Sequence, residues 1–438
     1  MIYYKESYGV FTKKHFMLDV WRIKMSEFDK IIGYEPIKKE LLKICDMVHN
    51  REVYENLGAK IPHGFLIYGA SGLGKTMMAQ CLITEIGLNA YNIGHSDGTD
   101  KIIDTFKKAK ENAPAIVFLD EVDKLADNQY VAIQSGFDTI QDADVVILAT
   151  ANDIGKLPDY LTCPGRFDQK IEVYKPSESD INELIKHYLK GKKISDDVNS
   201  EDIAKMASYS SCAEIERILN EAAISAAFSR HDCISMYDIT NAVLKIHYNV
   251  SDNSTETSEE ALRKIALHEA GHLVVCEVLC PDSIGVASLI PRGRETTGGF
   301  ISRCKELDRR AYYILVSLAG KAAVELYYSE TCASGCHSDI YQAIKDIRTA
   351  VSESGTCGLG MIDVATVRFP DISENMNSRT EAVVHAELER YMFKVRDILL
   401  KNRTFLEKAA ELLLEKKILL YSDIKTLRES VDIVGVEV

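Results

Sequence analysis

The sequence predicts two linked architectures: an α/β core carrying a small helical lid, and then a mainly α-helical domain. Three observations carry this reading. Short apolar runs at 65–68, 115–119 and 145–149 recur between helical stretches, the pattern of a buried parallel sheet. Beyond Pro176 the strands give way to helices, expected over 178–190, 200–207, 213–228 and 236–245. The stretch Val250 to Ser258 then has one apolar residue in nine and reads as an exposed linker.

In chain order, Phe28 is followed by a helix over 35–48 and a polar connection into the first strand. Gly69-Ala70-Ser71-Gly72-Leu73-Gly74-Lys75-Thr76 comes directly after that strand and opens a helix over 77–86. Glycines in such a turn let backbone N–H groups close around phosphate oxygens, and the helix N-terminus adds positive potential. Lys75 then reaches the outer phosphates and the Thr76 hydroxyl ligates Mg2+. The second strand ends in Asp120-Glu121, which suits holding Mg2+ through Asp120 and orienting or activating the attacking water through Glu121. The third strand delivers Asn152, placed to polarise that water, and the turn Pro164-Gly165-Arg166-Phe167-Asp168 offers an arginine. Arg166 can stabilise transition-state charge on a neighbour's nucleotide, which would make the active ATPase an oligomer.

At 438 residues the chain suggests about three domains, and with 46% apolar and 27% charged residues it can build ordinary cores. A net charge of -14 argues against a nucleic-acid backbone as the main partner, since that role needs clustered Lys and Arg. Eleven cysteines, scattered and without CxxC pairs, fit reduced thiols in a cytoplasm rather than a disulfide framework. The first 26 residues are interrupted by charges, and the longest apolar runs elsewhere are strand-sized. No signal peptide, no membrane insertion and a soluble chain are therefore expected.

After the linker, a helix over 261–279 carries His268-Glu269-Ala270-Gly271-His272. Residues four apart share a helix face, so His268 and His272 can offer two imidazoles to one metal with Glu269 beside them as the base. A third ligand should lie downstream, where Cys332, Cys336, His337 and Asp339 cluster before a helix, and spacing does not choose among them. Cys276 and Cys280 extend the histidine stripe, but Cys276 stands about 12 Å along the helix axis from His268, too far for one ion. Two short strands at 287–294 and 298–303 surround a glycine-containing loop; such a strand either pairs with an extended peptide or forms only a structural hairpin. Amphipathic segments at 380–401 and 402–415 close the chain.

Taken together these residues resemble the FtsH family of AAA+ ATP-dependent zinc metalloproteases, from Phe28 to about Leu427. Phe28-Asp29-Lys30-Ile31-Ile32-Gly33 is similar to the family's adenine-contacting segment, so Ile31, Ile32 and Gly33 are implied to meet the base. Asn152 and Arg166 match a sensor asparagine and one of two arginine fingers, and Asn220-Glu221-Ala222-Ala223 matches the lid helix. His268, Glu269 and His272 match ligand, base and ligand, and the resemblance makes Asp339 the third ligand. It implies Zn2+, ATP and Mg2+ as cofactors, polypeptide substrates and a homo-hexamer. The implied division is 27–175 for the ATPase core, 176–249 for the lid and 259–438 for the protease, after an extension at 1–26. Three features depart from the family: no membrane anchor, Cys163 in place of the other finger arginine, and Gly94-His95-Ser96 where an aromatic gripping loop belongs. Tyr91 or Ile93 is the expected substitute for that grip.

Overall fold

The alternating side chains of five short strands divide between two apolar cores, one on each face of a parallel sheet. In the computed structural model, which describes residues 26–250, 258–293, 298–328, 333–352 and 374–436, these strands are β1 (Gly64–Tyr68), β2 (Asn89–Ile93), β3 (Ala115–Leu119), β4 (Val145–Ala151) and β5 (Phe167–Glu172). Their order is β2-β3-β4-β1-β5, with every neighbouring pair parallel. Phe65, Ile67, Ile116 and Leu148 enter one core while Leu66, Val117, Ile147 and Ala149 enter the other, the period of two that a covered strand requires. Because the strands are parallel, the loops after β1, β3 and β4 emerge at one end of the sheet, where ligands bind in open α/β folds. The phosphate-loop helix, Lys75–Ile86, begins there.

The expected helices of the lid are found at Glu178–Leu189, Ser200–Met206, Cys212–Phe228 and Met236–Ile246. Packing nevertheless divides the chain elsewhere than the boundaries read from the sequence. One compact unit runs to His187 and includes Ser210–Glu216; the other takes Tyr188–Tyr209 and everything from Arg217. The reason lies in contacts within this second unit. The buried Asp202 carboxylate accepts hydrogen bonds from Ser422 N and Oγ, both at 2.8 Å, and the Tyr248 hydroxyl donates to Met206 O at 2.8 Å. Gly285 lies so close to the Lys205 carbonyl that a Cβ there would stand 2.3 Å from its oxygen.

The second unit is built around the motif helix Glu259–Leu279, capped by Ser258 Oγ, which accepts from Ala261 N. Helices Arg310–Glu325, Glu374–Lys401 and Arg403–Lys416 bury Leu315, Ile398 and Phe405 in one core with Leu273 and Val274 of the motif helix. A three-stranded antiparallel sheet, β6 (Ile284–Ser288), β7 (Phe300–Arg303) and β8 (Ile418–Leu420), packs beside it in the order β7-β6-β8. The first strand therefore falls earlier than 287–294, and β8 joins from the far end of the chain. Among the described residues no helix is long and apolar enough to cross a membrane. The extension before Ser26, residues 251–257 of the linker, Arg294 and Cys332 lie outside the described residues.

Candidate functional site

Two groups of chemically active side chains form, one in each unit. In the first, Gly69, Gly72 and Gly74 hold φ of 147, 80 and 85°, a conformation open to glycine that turns the loop's backbone into a cradle. Leu73 is buried and anchors the loop, while Lys75, 7% exposed, donates to Ala70 O at 2.7 Å and to Asn152 Oδ1 at 2.8 Å. Burial lowers the Lys75 pKa, and the carboxylates Asp123, Glu121 and Asp120 oppose that shift. Asp120 Oδ1 accepts from Thr76 Oγ1 at 3.0 Å and Thr150 Oγ1 at 2.5 Å, so the two expected Mg2+ residues already meet. Glu121 has a left-handed φ of 52°, and its backbone N–H donates to Thr150 Oγ1 at 2.9 Å. A hydrogen bond from Lys124 holds the Glu121 carboxyl below its usual range. Asn152, Lys75 and the acidic pair are thus gathered at the carboxyl ends of β1, β3 and β4.

The segment before the first helix is placed differently from a simple contact surface. Ile31 is 1% exposed and packs in the core, so its side chain is withdrawn, whereas Ile32 is half-buried. Gly33, φ 68°, turns the chain against Asp180, whose Oδ1 would lie 2.5 Å from an added Cβ. Tyr34 N then donates to Asp180 Oδ1 at 2.9 Å.

Arg166 lies at the opposite end of the sheet. It precedes β5, and its carbonyl would stand 2.1 Å from a Cβ on Gly64, the first residue of β1. The phosphate loop begins after Tyr68, the last residue of that strand. Arg166 donates to Tyr160 O and lines a cleft of about 360 Å³ together with His63, Tyr160 and the exposed Cys163. The expected grip is not supplied by Ile93, which is 3% exposed and belongs to the core, and Tyr91 is half-buried against the same core. The intervening turn is short and pinned: Gly94 N donates to Asp97 Oδ2, and Gln129 Nε2 donates to His95 O and Asp97 O.

In the second unit one helical turn separates His268 from His272, and Asp339 comes from the helix Ala333–Ser352. Asp339 Oδ2 lies 3.0 Å from His268 Nε2 and 3.2 Å from His272 Nε2, and the two imidazole nitrogens are 3.0 Å apart. Tetrahedral zinc with ligands at about 2.0 Å separates its donors by about 3.3 Å, so this triangle is nearly a coordination face. His272 Nδ1 donates to Val316 O at 2.6 Å, which fixes the tautomer that leaves Nε2 free to bind. The residues present therefore fit a zinc ion with one position left open. Of the other candidate ligands, Cys336 Sγ lies 3.9 Å from His268 Nδ1, the nitrogen on the other side of the ring, and His337 is exposed; only His268, His272 and Asp339 gather among the described residues. Cys276 is a buried core thiol beside Ser283.

The electrostatics follow from burial. Burial raises the Glu269 pKa to about 7, with only 5% of the residue exposed. Burial lowers the His268 pKa; at His272 it acts the same way, but the Asp339 carboxylate outweighs it and raises the value to about 9. Burial works to raise Asp339, yet hydrogen bonds from the two imidazoles hold it well below the carboxylate range.

Gly320, which the sequence reading passed over, makes this packing possible. A Cβ there would stand 2.5 Å from His268 Cε1 and from His272 Nε2, and one on Gly271 would stand 2.6 Å from Ala319 O. The run Ala319-Gly320 and Ala322-Ala323 is the sequence signal of such a close helix crossing. Gly320→Ala is expected to lower zinc affinity about 10- to 100-fold, the range seen when the surroundings of metal ligands are disturbed. Zinc titration of the full chain measures this, and wild-type affinity in the variant would mean that the imidazoles have room to shift.

Comparison with known proteins adds sequence evidence to this geometry. Residues 65–175 match the family described as "ATPase family associated with various cellular activities (AAA)", and residues 255–427 match "Peptidase family M41". The chain is 30% identical to the "ATP-dependent zinc metalloprotease FtsH 3" of Symbiobacterium thermophilum over 456 residues, 93% of this chain and 71% of that protein. It is 33% identical to FtsH 2 of Salinibacter ruber, covering 75% of this chain and 52% of the relative. With FtsH of Leptotrichia buccalis it shares 31% identity, over 92% of this chain and 57% of the relative. The chain thus spans between about half and three-quarters of the length of these curated relatives.

Proposed function

The chain belongs to the FtsH family of ATP-dependent zinc metalloproteases, and on that premise we propose that it is an ATP-driven endopeptidase that unfolds and degrades polypeptides. The observation that carries this reading is the zinc triangle of His268, His272 and Asp339 with the buried Glu269 beside it, in a chain that also builds a complete phosphate site. His268, His272 and Asp339 would hold zinc, which when bound would supply an acidified water and a Lewis acid for the peptide carbonyl. Glu269 takes a proton from water and delivers it to the departing amine, and Val316 O holds the His272 imidazole through Nδ1. Lys75 and the loop glycines bind the phosphates of ATP, Thr76 and Asp120 hold Mg2+, and Glu121 with Asn152 orients the water that attacks.

An extended substrate has a place to lie. Among the described residues β7 is an edge of its sheet, and Gly299, just before it, would bring a Cβ within 2.7 Å of Glu269 Cγ, so a strand added to β7 runs past the base. The remaining assignments are a homo-hexamer, supported by the placement of Arg166, and a cytoplasmic setting, supported by nine described cysteines that are all free. The net charge of -14 supports a role without nucleic acid. Boundaries at 176–249 for the lid and 259–438 for the protease are kept as functional divisions.

Native domains are stable by about 5–15 kcal/mol, so a folded substrate must be opened before it can be cut. A tagged folded protein is expected to be degraded only with ATP, and an unfolded one faster with ATP than without. Cleavage confined to the unfolded protein would remove the unfolding step, and cleavage of neither would remove the peptidase assignment.

A further inference from the structure

Arg292 lies between β6 and β7 and takes no part in the chemistry described above. Its Cζ stands 4.1 Å from the centre of the Phe300 ring and 5.0 Å from that of Tyr248. The two rings are themselves tilted against each other at 5.1 Å, so the guanidinium has an aromatic platform. That platform is anchored, since Tyr248 donates to Met206 O and Phe300 is 8% exposed. Arg292 itself is exposed, and no carboxylate pairs with it among the described residues. A planar cation stacked by its face keeps its N–H edges free, and those edges match a carboxylate in two-point fashion.

Its position gives those free edges a use. Phe300 is the first residue of β7 and follows Gly299, which abuts Glu269. Glu269 and Arg292 each act on the other's charge. The guanidinium, stacked on the first residue of β7, thus stands beside the edge where an extended chain would pair. Successive side chains of a strand alternate, so a residue of that chain close to the cleaved bond would face the platform.

We infer that Arg292 is a specificity-determining residue that favours polypeptides with an acidic side chain next to the cleaved bond. This rests on the proposed peptidase reading. An exposed charge pair favours its partner by up to about fivefold, and a comparison of Glu with Lys adds the repulsion of one to the attraction of the other. Fluorogenic peptides with a single Glu, Ala or Lys on either side of one cleavable bond, supplied to the full zinc-loaded chain, measure it. Wild type is expected to cleave the Glu peptide about five- to tenfold more efficiently than the Lys peptide in one of the two series. Arg292→Glu should invert that ratio and Arg292→Gln should bring it near one. Because each variant is its own reference, a general loss of activity does not move the ratio, and zinc content reports folding. A wild-type ratio near one in both series, or an unchanged ratio in both variants, overturns the inference. Cleavage of none of the peptides by wild type would instead count against the peptidase reading.

Discussion

Glu269→Gln is expected to slow cleavage of an unfolded protein by about 10³-fold while zinc content and ATP hydrolysis stay at wild-type levels. The substitution keeps the shape and the acceptor that faces Gly299, but it removes the ability to take a proton. Glu269 is 5% exposed and burial raises its pKa to about 7, in the range where a base both accepts and releases a proton near neutrality. It is not one of the gathered metal donors, so the three ligands remain intact. The residues proposed for ATP hydrolysis, Lys75, Asp120 and Glu121, lie in the other compact unit. Degradation, ATP turnover and bound zinc measured on one preparation check all three parts. Equal cleavage by wild type and variant would remove Glu269 from the catalytic role.

The sequence was most legible where one local stretch carries the chemistry. The phosphate loop and the two histidines are such stretches, and so are β3 and β4, whose residues are buried throughout. Elements whose burial is partial or borrowed were harder to see. In β2 only Ile93 is fully buried, and β8 has three residues and exists because it pairs with β6. The helix Arg310–Glu325 went unnoticed because its middle, from Ile314 to Val324, is apolar on most sides, which blurs the helical period. Asp339 needed the family pattern, because Cys332, Cys336 and His337 have similar spacing and only the fold places one carboxylate 3.0 and 3.2 Å from the two imidazoles. Gly320 was invisible for the opposite reason, since its contribution is a missing side chain. The lid boundary was drawn from composition, but the division by packing follows the bonds that join Asp202 to Ser422 and Tyr248 to Met206.

Arg166→Ala is expected to reduce ATP hydrolysis by about 10³-fold, and the loss should be recovered by a subunit that cannot bind ATP itself. The argument is one of distance. Arg166 adjoins Gly64, where β1 begins, and the phosphate loop follows Tyr68, where β1 ends. Four steps along the strand separate these ends by roughly 13 Å, beyond the reach of one arginine side chain. An arginine in this position can serve phosphates only on another copy, with the cleft around Cys163, Tyr160 and His63 as the surface that faces it. Arg166 is the one arginine between Cys163 and Asp168, so no neighbouring arginine of this turn masks its removal. Lys75→Ala subunits lose the phosphate contact but keep Arg166, and Arg166→Ala subunits keep the phosphate site. Each alone should be inactive, and a mixture assembled together should regain a measurable fraction of wild-type turnover at sites where an intact phosphate loop meets an intact arginine. A mixture no more active than its two components would place the arginine's effect within its own chain and remove the geometric support for a ring.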